Sequence, residues 1–337
     1  MSLEVERLDS VVAANRNQWN HVVEHADLGC LYHRYEWLRA IEQGTSYEPR
    51  HLLVTKDGNP IGMLPSVVTA AGPVKRLDST YPGFGGPIAL TDEEVVIRRL
   101  LEAVPRLCEG RIRLNRLSTF DEGYVRYHGL FAEYGYRLRL RWCRFSLDLT
   151  AGWEAILDEM DRARRRGIRR GNDQTFEIDG TAVTERRLSS FHDDYAVVME
   201  RGGLTPLPRS FFLELTRLAD RLKLFTLRVN GTDCGAILVH LDDEQSTIHY
   251  AYSAVREEHY QHRAAEVLHA HAIRWGIRNG YDVYDFRRTD PDFRDGLFGF
   301  KEQFGARARP LLSWERGSPR IALSAVNLAR HLEQRIG

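Results

Sequence analysis

Two stretches near the end of the chain concentrate groups that can do chemistry. Gly280-Tyr-Asp-Val-Tyr-Asp-Phe-Arg-Arg-Thr-Asp290 carries a carboxylate (Asp285) and a guanidinium pair (Arg287, Arg288), and Gly299-Phe-Lys-Glu-Gln-Phe-Gly305 carries an ammonium (Lys301). Only four of the 47 basic residues are lysines, so a lysine between Phe300 and Phe304 stands out. A carboxylate can orient or deprotonate a nucleophile, and an ammonium on a flexible stem can follow negative charge as it develops on oxygen. Composition alone reads Lys301 as a solvated helix lysine whose stem covers Phe304.

Three further groups belong with these. Thr247-Ile-His-Tyr-Ala-Tyr-Ser253 alternates like a strand, which places Ile248, Tyr250 and Tyr252 on one side and His249 and Ala251 on the other. Tyr250 is a candidate to orient the nucleophile, and Tyr252 to line the cleft. Arg201 ends a helix, where the dipole favours a cation and where it could share one anionic group with Lys301. The loop Tyr81-Pro-Gly-Phe-Gly-Gly-Pro87 contains Gly85 and Gly86, which permit close backbone approach to a ligand or an ordinary turn. The most basic segment holds Arg162, Arg164, Arg165, Arg166, Arg169 and Arg170. It reads either as a solvated linker helix or as a landing site for phosphates, with Arg169 among the contacts.

These groups must be positioned by a mixed set of helices and strands. Helical spacing predicts helices over 15–28, 34–43 and 92–107, and later around Phe191 and Tyr195, over 208–222 and up to Asn279. Asp57-Gly58 and Asn230-Gly231 between apolar runs predict hairpins. Strands are expected over 111–117, 137–149, 224–229, 234–241 and 281–286, and a short helix around Phe298, Lys301 and Phe304. Landmarks recur at a nearly constant offset: Gly58 and Gly62 against Gly231 and Gly235, Gly110 against Gly280, and Tyr134-Gly135 against Phe304-Gly305. The shared order of elements predicts an internal duplication. The expected organisation is an α+β, mixed α/β chain with a first domain at 1–148, a basic linker helix at 149–173, a second domain at 174–315 and a C-terminal helix at 316–337.

Composition narrows the function. With 43% hydrophobic and 28% charged residues, the 337-residue chain can build a large core. A formal net charge of zero gives no global field towards DNA or an anionic membrane. The four cysteines lie far apart, which predicts buried free thiols rather than disulfides or a zinc framework. The thirteen histidines lack HExxH and 2-His-carboxylate spacing, so they are expected to be solvated or packed and no metal is expected. Neither GxSxG nor a P-loop pattern occurs. A signal peptide and a transmembrane segment are not expected, and a cytoplasmic location is.

Asp285-Phe286, Thr289, Phe300-Lys301 and Phe304-Gly305 resemble the closing motif of the FemAB-like acyltransferases, also called BioF2-like or CelD-like acetyltransferase domains, of the GNAT superfamily. Trp153, Leu157, Arg164, Ile168, Arg169 and Arg170 resemble a second stretch of that pattern, and Tyr81 to Pro87 a third. The resemblance implies two tandem GNAT-like folds that move an acyl or aminoacyl group onto an amine or hydroxyl of a cell-envelope precursor or glycan. It implies Lys301, Asp285 and Tyr250 as catalytic groups, with Arg201, Tyr252, Tyr81, Gly85, Gly86, Arg287 and Arg169 contacting substrates. No bound cofactor is implied; acyl-CoA or an aminoacyl-tRNA would be the donor. The family's glycine-bearing pyrophosphate loop is absent between Ala254 and Ala265, so weak acetyl-CoA binding is expected in the second domain. The alternative is a non-catalytic module that binds a polyanion or a protein through its arginines.

Overall fold

A computed structural model describes residues 3–71, 74–109, 112–180 and 182–317. Two compact units are observed. One comprises Met1–Glu42, Ser46–Arg141 and Leu311–Gly337, and the other Gln43–Thr45 and Trp142–Pro310.

The first unit contains, in chain order, β1 (Leu3–Leu8), α1 (Arg16–His25), α2 (Tyr35–Gly44), β2 (Glu48–Pro49), β3 (His51–Lys56), β4 (Asn59–Leu64), β5 (Val67–Ala71), β6 (Val74–Asp78), β7 (Ile88–Ala89), α3 (Glu93–Leu107), β8 (Ile112–Thr119), α4 (His128–Glu133) and the start of β9 (Arg137–Asp148). The second contains α5 (Gly152–Glu159), α6 (Arg162–Asn172), β10 (Phe176–Asp179), α7 (Glu185–Arg201), α8 (Arg209–Glu214), β11 (Leu222–Val229), β12 (Thr232–Asp242), β13 (Thr247–Ala254), α9 (Ala264–Arg278), β14 (Val283–Thr289), α10 (Gly296–Glu302) and most of the approach into β15 (Arg307–Gly317). The end of β15 belongs to the first unit, where it pairs antiparallel with β8.

Local chemistry accounts for the boundaries. Both hairpin turns place two consecutive residues at positive φ, Asp57 (49°) with Gly58 (81°) and Asn230 (51°) with Gly231 (79°). That backbone twist suits two-residue hairpins. Asn15, Asp161, Thr184 and Asp295 cap α1, α6, α7 and α10 through their side-chain oxygens.

Each unit contains the same crossover. In the first, β6 and β8 run parallel and flank α3; in the second, β13 and β14 run parallel and flank α9. The helix supplies the long connection that a parallel pair requires. The second unit's strand order is β10-β11-β12-β13-β14-β9. One face of that sheet packs on α9, where Gly276 lets the helix approach closely: a Cβ there would lie 2.6 Å from Ile248 Cδ1.

The basic segment differs from the expected linker. It forms two helices, α5 and α6, both inside the second unit, with Ile156, Met160 and Ile168 in that unit's core. The reason is amphipathicity: Arg164 faces inward with Ile168, while Arg162, Arg166, Arg169 and Arg170 are exposed. Arg164 stacks over Phe300 (4.2 Å) and Phe304 (4.5 Å), donates to Phe300 O and Gln303 Oε1, and pairs with Glu266 at 3.4 Å. The observed units also break at 141/142 and 310/311 rather than at the expected boundaries. Arg316 and Gly317 end β15; the rest of the expected C-terminal helix lies outside the described residues.

The two kinds of arginine on α6 predict different costs. Arg164→Met should lower the free energy of unfolding by about 2 kcal/mol, because it removes the buried guanidinium's hydrogen bonds and leaves Glu266 only the exposed Arg263. Arg169→Met should change it by less than about 0.5 kcal/mol, as is usual at an exposed position. Urea denaturation of the two variants checks this.

Candidate active site

The second unit's parallel pair is short. β13 and β14 are in register only at Thr247/Val283, Ile248/Tyr284 and His249/Asp285. Two irregularities mark the end of that ladder. On β13, Val239 faces Tyr250 but Leu238 faces Tyr252, so Ala251 is an extra residue. On β14, Asp285 faces Ser146 but Arg288 faces Arg144, and Arg287 sits between them at φ 59°. Such bulges bend a strand and re-aim its side chains. A non-glycine residue in the left-handed region must be held there by its surroundings.

The surroundings are polar and buried. His249 Nδ1 lies 3.1 Å from Asp285 Oδ2, and His249 Nε2 lies 3.5 Å from Asp242 Oδ2. Arg144 Nη1 approaches Asp285 Oδ2 at 3.5 Å. Asp242, His249, Asp285 and Arg144 sit on β12, β13, β14 and β9, four adjacent strands. Burial acts to discharge His249, but the hydrogen bonds to Asp242 and Asp285 prevail and raise its pKa. Burial likewise acts to raise the pKa of Asp285, but the His249 hydrogen bond, Arg144 and the Arg287 N–H hold it at about 2. The row thus forms a brace in which carboxylates alternate with basic groups, and its contacts favour the charged forms of His249 and Asp285.

The brace clamps the bulge from one side. The Arg287 N–H donates to Asp285 Oδ1 at 2.7 Å. From α10, Lys301 Nζ donates to Arg287 O (3.3 Å) and Arg288 O (3.0 Å). Lys301 is only 2% exposed, and burial pushes its pKa down to about 8. It is not the solvated lysine that composition suggested. Its ammonium donates to two backbone carbonyls and so ties α10 to the β14 bulge.

Other expected site residues are placed as follows. Asp285 is 1% exposed with both oxygens engaged and a low pKa, so it orients His249 and the bulge and is poorly suited to accept a proton. Tyr250 and Tyr252 do not share a face. The Ala251 bulge sends Tyr250 against His269 of α9 (4.5 Å between rings), and Tyr252 against His240, Tyr195 and Phe212. Burial raises the pKa of Tyr250. Arg287 Cζ lies 5.8 Å from the Tyr252 ring, so these two expected contacts do come together at the point where the strands part. Arg201 is not joined to Lys301: it is exposed, paired with Glu257 at 3.0 Å and hydrogen-bonded to the Tyr260 hydroxyl. Arg169 is exposed on α6.

In the first unit the equivalent position is closed. Asp78, at the end of β6, accepts from Arg76, Arg116 and Thr69. The glycine loop then continues along β8: Ser79 N donates to Arg116 O and Gly85 N to Ser118 O. A Cβ on Gly85 would lie 2.8 Å from His33 Nε2, and one on Gly86 2.5 Å from Tyr124 Cε1. These glycines are required by packing rather than exposed to a ligand. Tyr81 is half-buried beside Tyr47, whose pKa burial raises to about 12.

Asp242, His240 and Arg144 were not singled out from the sequence, and His249 was read only as one face of a strand and as a solvated or packed histidine. The alternation of β13 placed His249 opposite Ile248, correctly, but its partner Asp242 belongs to another strand and is recognisable only from the β12/β13 register.

Comparison with known proteins bears on the fold. Residues 158–295 match the acetyltransferase (GNAT) domain family. The chain is similar to the crystal structure of FemX, with a TM-score of 0.71 and 13% identity over 94% of this chain and 99% of that one. It is also similar to the C-terminal domain of a protein named as a lysylphosphatidylglycerol synthetase from Agrobacterium fabrum (TM-score 0.59, 12% identity, 93% and 95% coverage). A tandem GNAT protein from the clavulanic acid biosynthesis pathway gives a TM-score of 0.56 with 12% identity over 94% and 98% of the chains. No curated protein matches the sequence.

The brace predicts a pH profile of stability. The folded-state pKa of Asp285 is depressed, so its contribution is complete above about pH 4 and is lost as pH falls through about 2; it amounts to about 2 kcal/mol. The folded-state pKa of His249 is raised, so its contribution is complete below about pH 6.5 and is lost as pH rises through the raised value. Asp285→Asn should remove the acid-side loss due to this group and destabilise the protein at pH 6 by about 3 kcal/mol. Denaturant midpoints of both proteins from pH 2 to 9 measure this.

Proposed function

We propose that this chain, an acyltransferase of the GNAT superfamily with a tandem, FemAB-like architecture, transfers an acyl or aminoacyl group to an amine or hydroxyl of a cell-envelope precursor or glycan. The observation that carries the proposal is the parting of β13 from β14 directly above the buried brace. Parting strands leave room for an extended acyl carrier to lie against β13, and the brace keeps the opening from relaxing.

In this reading the acyl carbonyl lies beside the β13 backbone near the Ala251 bulge, where main-chain N–H groups would stabilise the tetrahedral oxyanion. The nucleophile adds to the carbonyl carbon, the carrier leaves with the bonding electron pair, and the acceptor loses its proton to solvent. Tyr252 and Arg287 would contact the acceptor at the mouth of the opening. Lys301 and Asp285 act through the bulge, by fixing the Arg287 backbone.

Two features favour a phosphate-rich, tRNA-like donor over an ordinary CoA ester. The segment before α9 is a 3₁₀ turn, Glu257–His262, ending in Arg263 rather than in a glycine-rich anion loop. The exposed arginines of α6, Arg169 included, form a basic stripe suited to a nucleic-acid backbone. The similarity to a protein named for lysylphosphatidylglycerol synthesis supports an aminoacyl group and an envelope acceptor. Among the described residues no helix is long and apolar enough to cross a membrane.

The experiment is a transfer assay with charged tRNA or acyl-CoA as donor and amine-bearing envelope precursors as acceptors. Turnover with at least one donor is expected. Absence of turnover, together with binding of polyanions by wild type and loss of that binding in Arg169→Ala, would favour a silent binding module. For an active pair, Lys301→Met should lower kcat by on the order of 100-fold, the scale of a mispositioned reacting group. Lys301→Arg should restore part of it, whereas a lysine that merely covers Phe304 would leave kcat unchanged in both variants.

A further inference from the structure

A second polar cluster lies away from the brace. Cys234, near the start of β12, is buried, and His259 and His262 are half-buried on the 3₁₀ turn Glu257–His262. One ligand atom from each of the three lies within 4.8 Å of the others. The turn explains the histidine pair: a 3₁₀ helix has three residues per turn, so positions i and i+3 stand on the same side.

The tautomer of His262 is set by a neighbour. Gln174 Oε1 lies 2.7 Å from His262 Nδ1, and the amide orientation of Gln174 is fixed because its Nε2 donates to Arg170 O at 3.4 Å. Nδ1 therefore carries the proton, and Nε2 keeps its lone pair. That nitrogen accepts from the exposed Gln261 amide at 3.3 Å, a contact that a metal would displace. A ring nitrogen oriented through a hydrogen bond on the opposite nitrogen is the usual arrangement of a metal-ligating histidine. The Glu258 carboxylate, 3.8 Å from His259 Nε2, is adjacent.

We infer that Cys234, His259 and His262 form a binding site for a late first-row divalent cation of the zinc type. Zn–S near 2.3 Å and Zn–N near 2.0–2.1 Å place tetrahedral S and N ligands about 3.3–3.6 Å apart. Side-chain rotation by about 1 Å from the observed spacing would close the set. One thiolate and two imidazoles suit zinc, cobalt or nickel better than magnesium or calcium. Solvent or Glu258 would take the fourth position. On binding, the Cys234 S–H bond breaks, its proton goes to solvent, and sulfur donates its pair to the metal. Because the thiol proton is displaced on ligation, affinity should rise with pH, with the release of one proton per metal. The ion would tie the start of β12 to the turn that carries Arg263 (φ 55°) into α9, at the position where a glycine loop would otherwise approach the donor.

The test is titration of the reduced, chelator-treated full chain with Co²⁺, followed by Zn²⁺ competition. One equivalent of Co²⁺ should produce a thiolate-to-metal charge-transfer band and visible bands of tetrahedral intensity. Cys234→Ala should abolish the charge-transfer band and weaken binding at least ~100-fold; His259→Ala and His262→Ala should each weaken it at least ~10-fold, and Gln174→Ala by about 10-fold. Cys108→Ser should bind like the parent. The melting temperature of each variant is measured without metal, and His259→Gln, which keeps most of the side-chain volume, should lose binding at the parent's metal-free melting temperature, which separates lost ligation from lost folding. Absence of the thiolate band at one equivalent, or a Kd unchanged in Cys234→Ala and His262→Ala, overturns the inference, as does weak binding shared by all variants.

Discussion

The second unit depends on one row of charges. Asp242, His249, Asp285 and Arg144 cross four neighbouring strands, the first three buried and Arg144 half-buried. Each ion alone would be costly in such surroundings, and removal of any one leaves the others uncompensated. The row therefore acts as a constraint on register: β12, β13, β14 and β9 can pair in only one alignment if all four groups are to meet. An apolar row could slide or repack, whereas this one cannot without stranding a charge.

That constraint allows the sheet to open. Beyond His249 and Asp285 the parallel ladder ends, and each strand inserts an extra residue, Ala251 in β13 and Arg287 in β14. Separation of two strands gives up ladder hydrogen bonds, and the left-handed backbone of Arg287 adds strain. Asp285 and Lys301 offset these losses by binding the Arg287 N–H and the Arg287 and Arg288 carbonyls. The first unit, with the same crossover, takes the other course. Asp78 is neutralised by Arg76 and Arg116, and the glycine loop continues the pairing along β8. Of two like folds, one keeps its opening and the other fills it.

The resemblance of the Asp285 to Gly305 tract to FemAB-like acyltransferases directed attention to a tract whose side chains the structure engages in unexpected ways. Lys301 and Asp285 do meet one feature, the bulge at Arg287, and they meet it as supports. Arg201, grouped with Lys301 by sequence reasoning, is instead paired with Glu257 and Tyr260 on the 3₁₀ turn. Arg164, indistinguishable by type from its five neighbouring arginines, is the one buried against Phe300 and Phe304.

Much of the fold was legible because its signals are local. Asp57-Gly58 and Asn230-Gly231 adopt the positive φ values their turns need, helical spacing located α1, α2, α3, α7 and α9, and the repeated order of elements disclosed two similar folds. These features depend on residues within a few positions of one another. The site depended on contacts between residues far apart in the chain. A single inserted residue at Ala251 reverses the face of Tyr252 relative to Tyr250, because side chains alternate with a period of two. No local pattern encodes that His249 meets Asp242, that Gly85 packs on His33, or that Cys234 lies beside His259 and His262. The sequence alone determined the elements and the family resemblance; register, bulges and burial, which arise only when strands pair, decided which side chains meet and in which ionisation state.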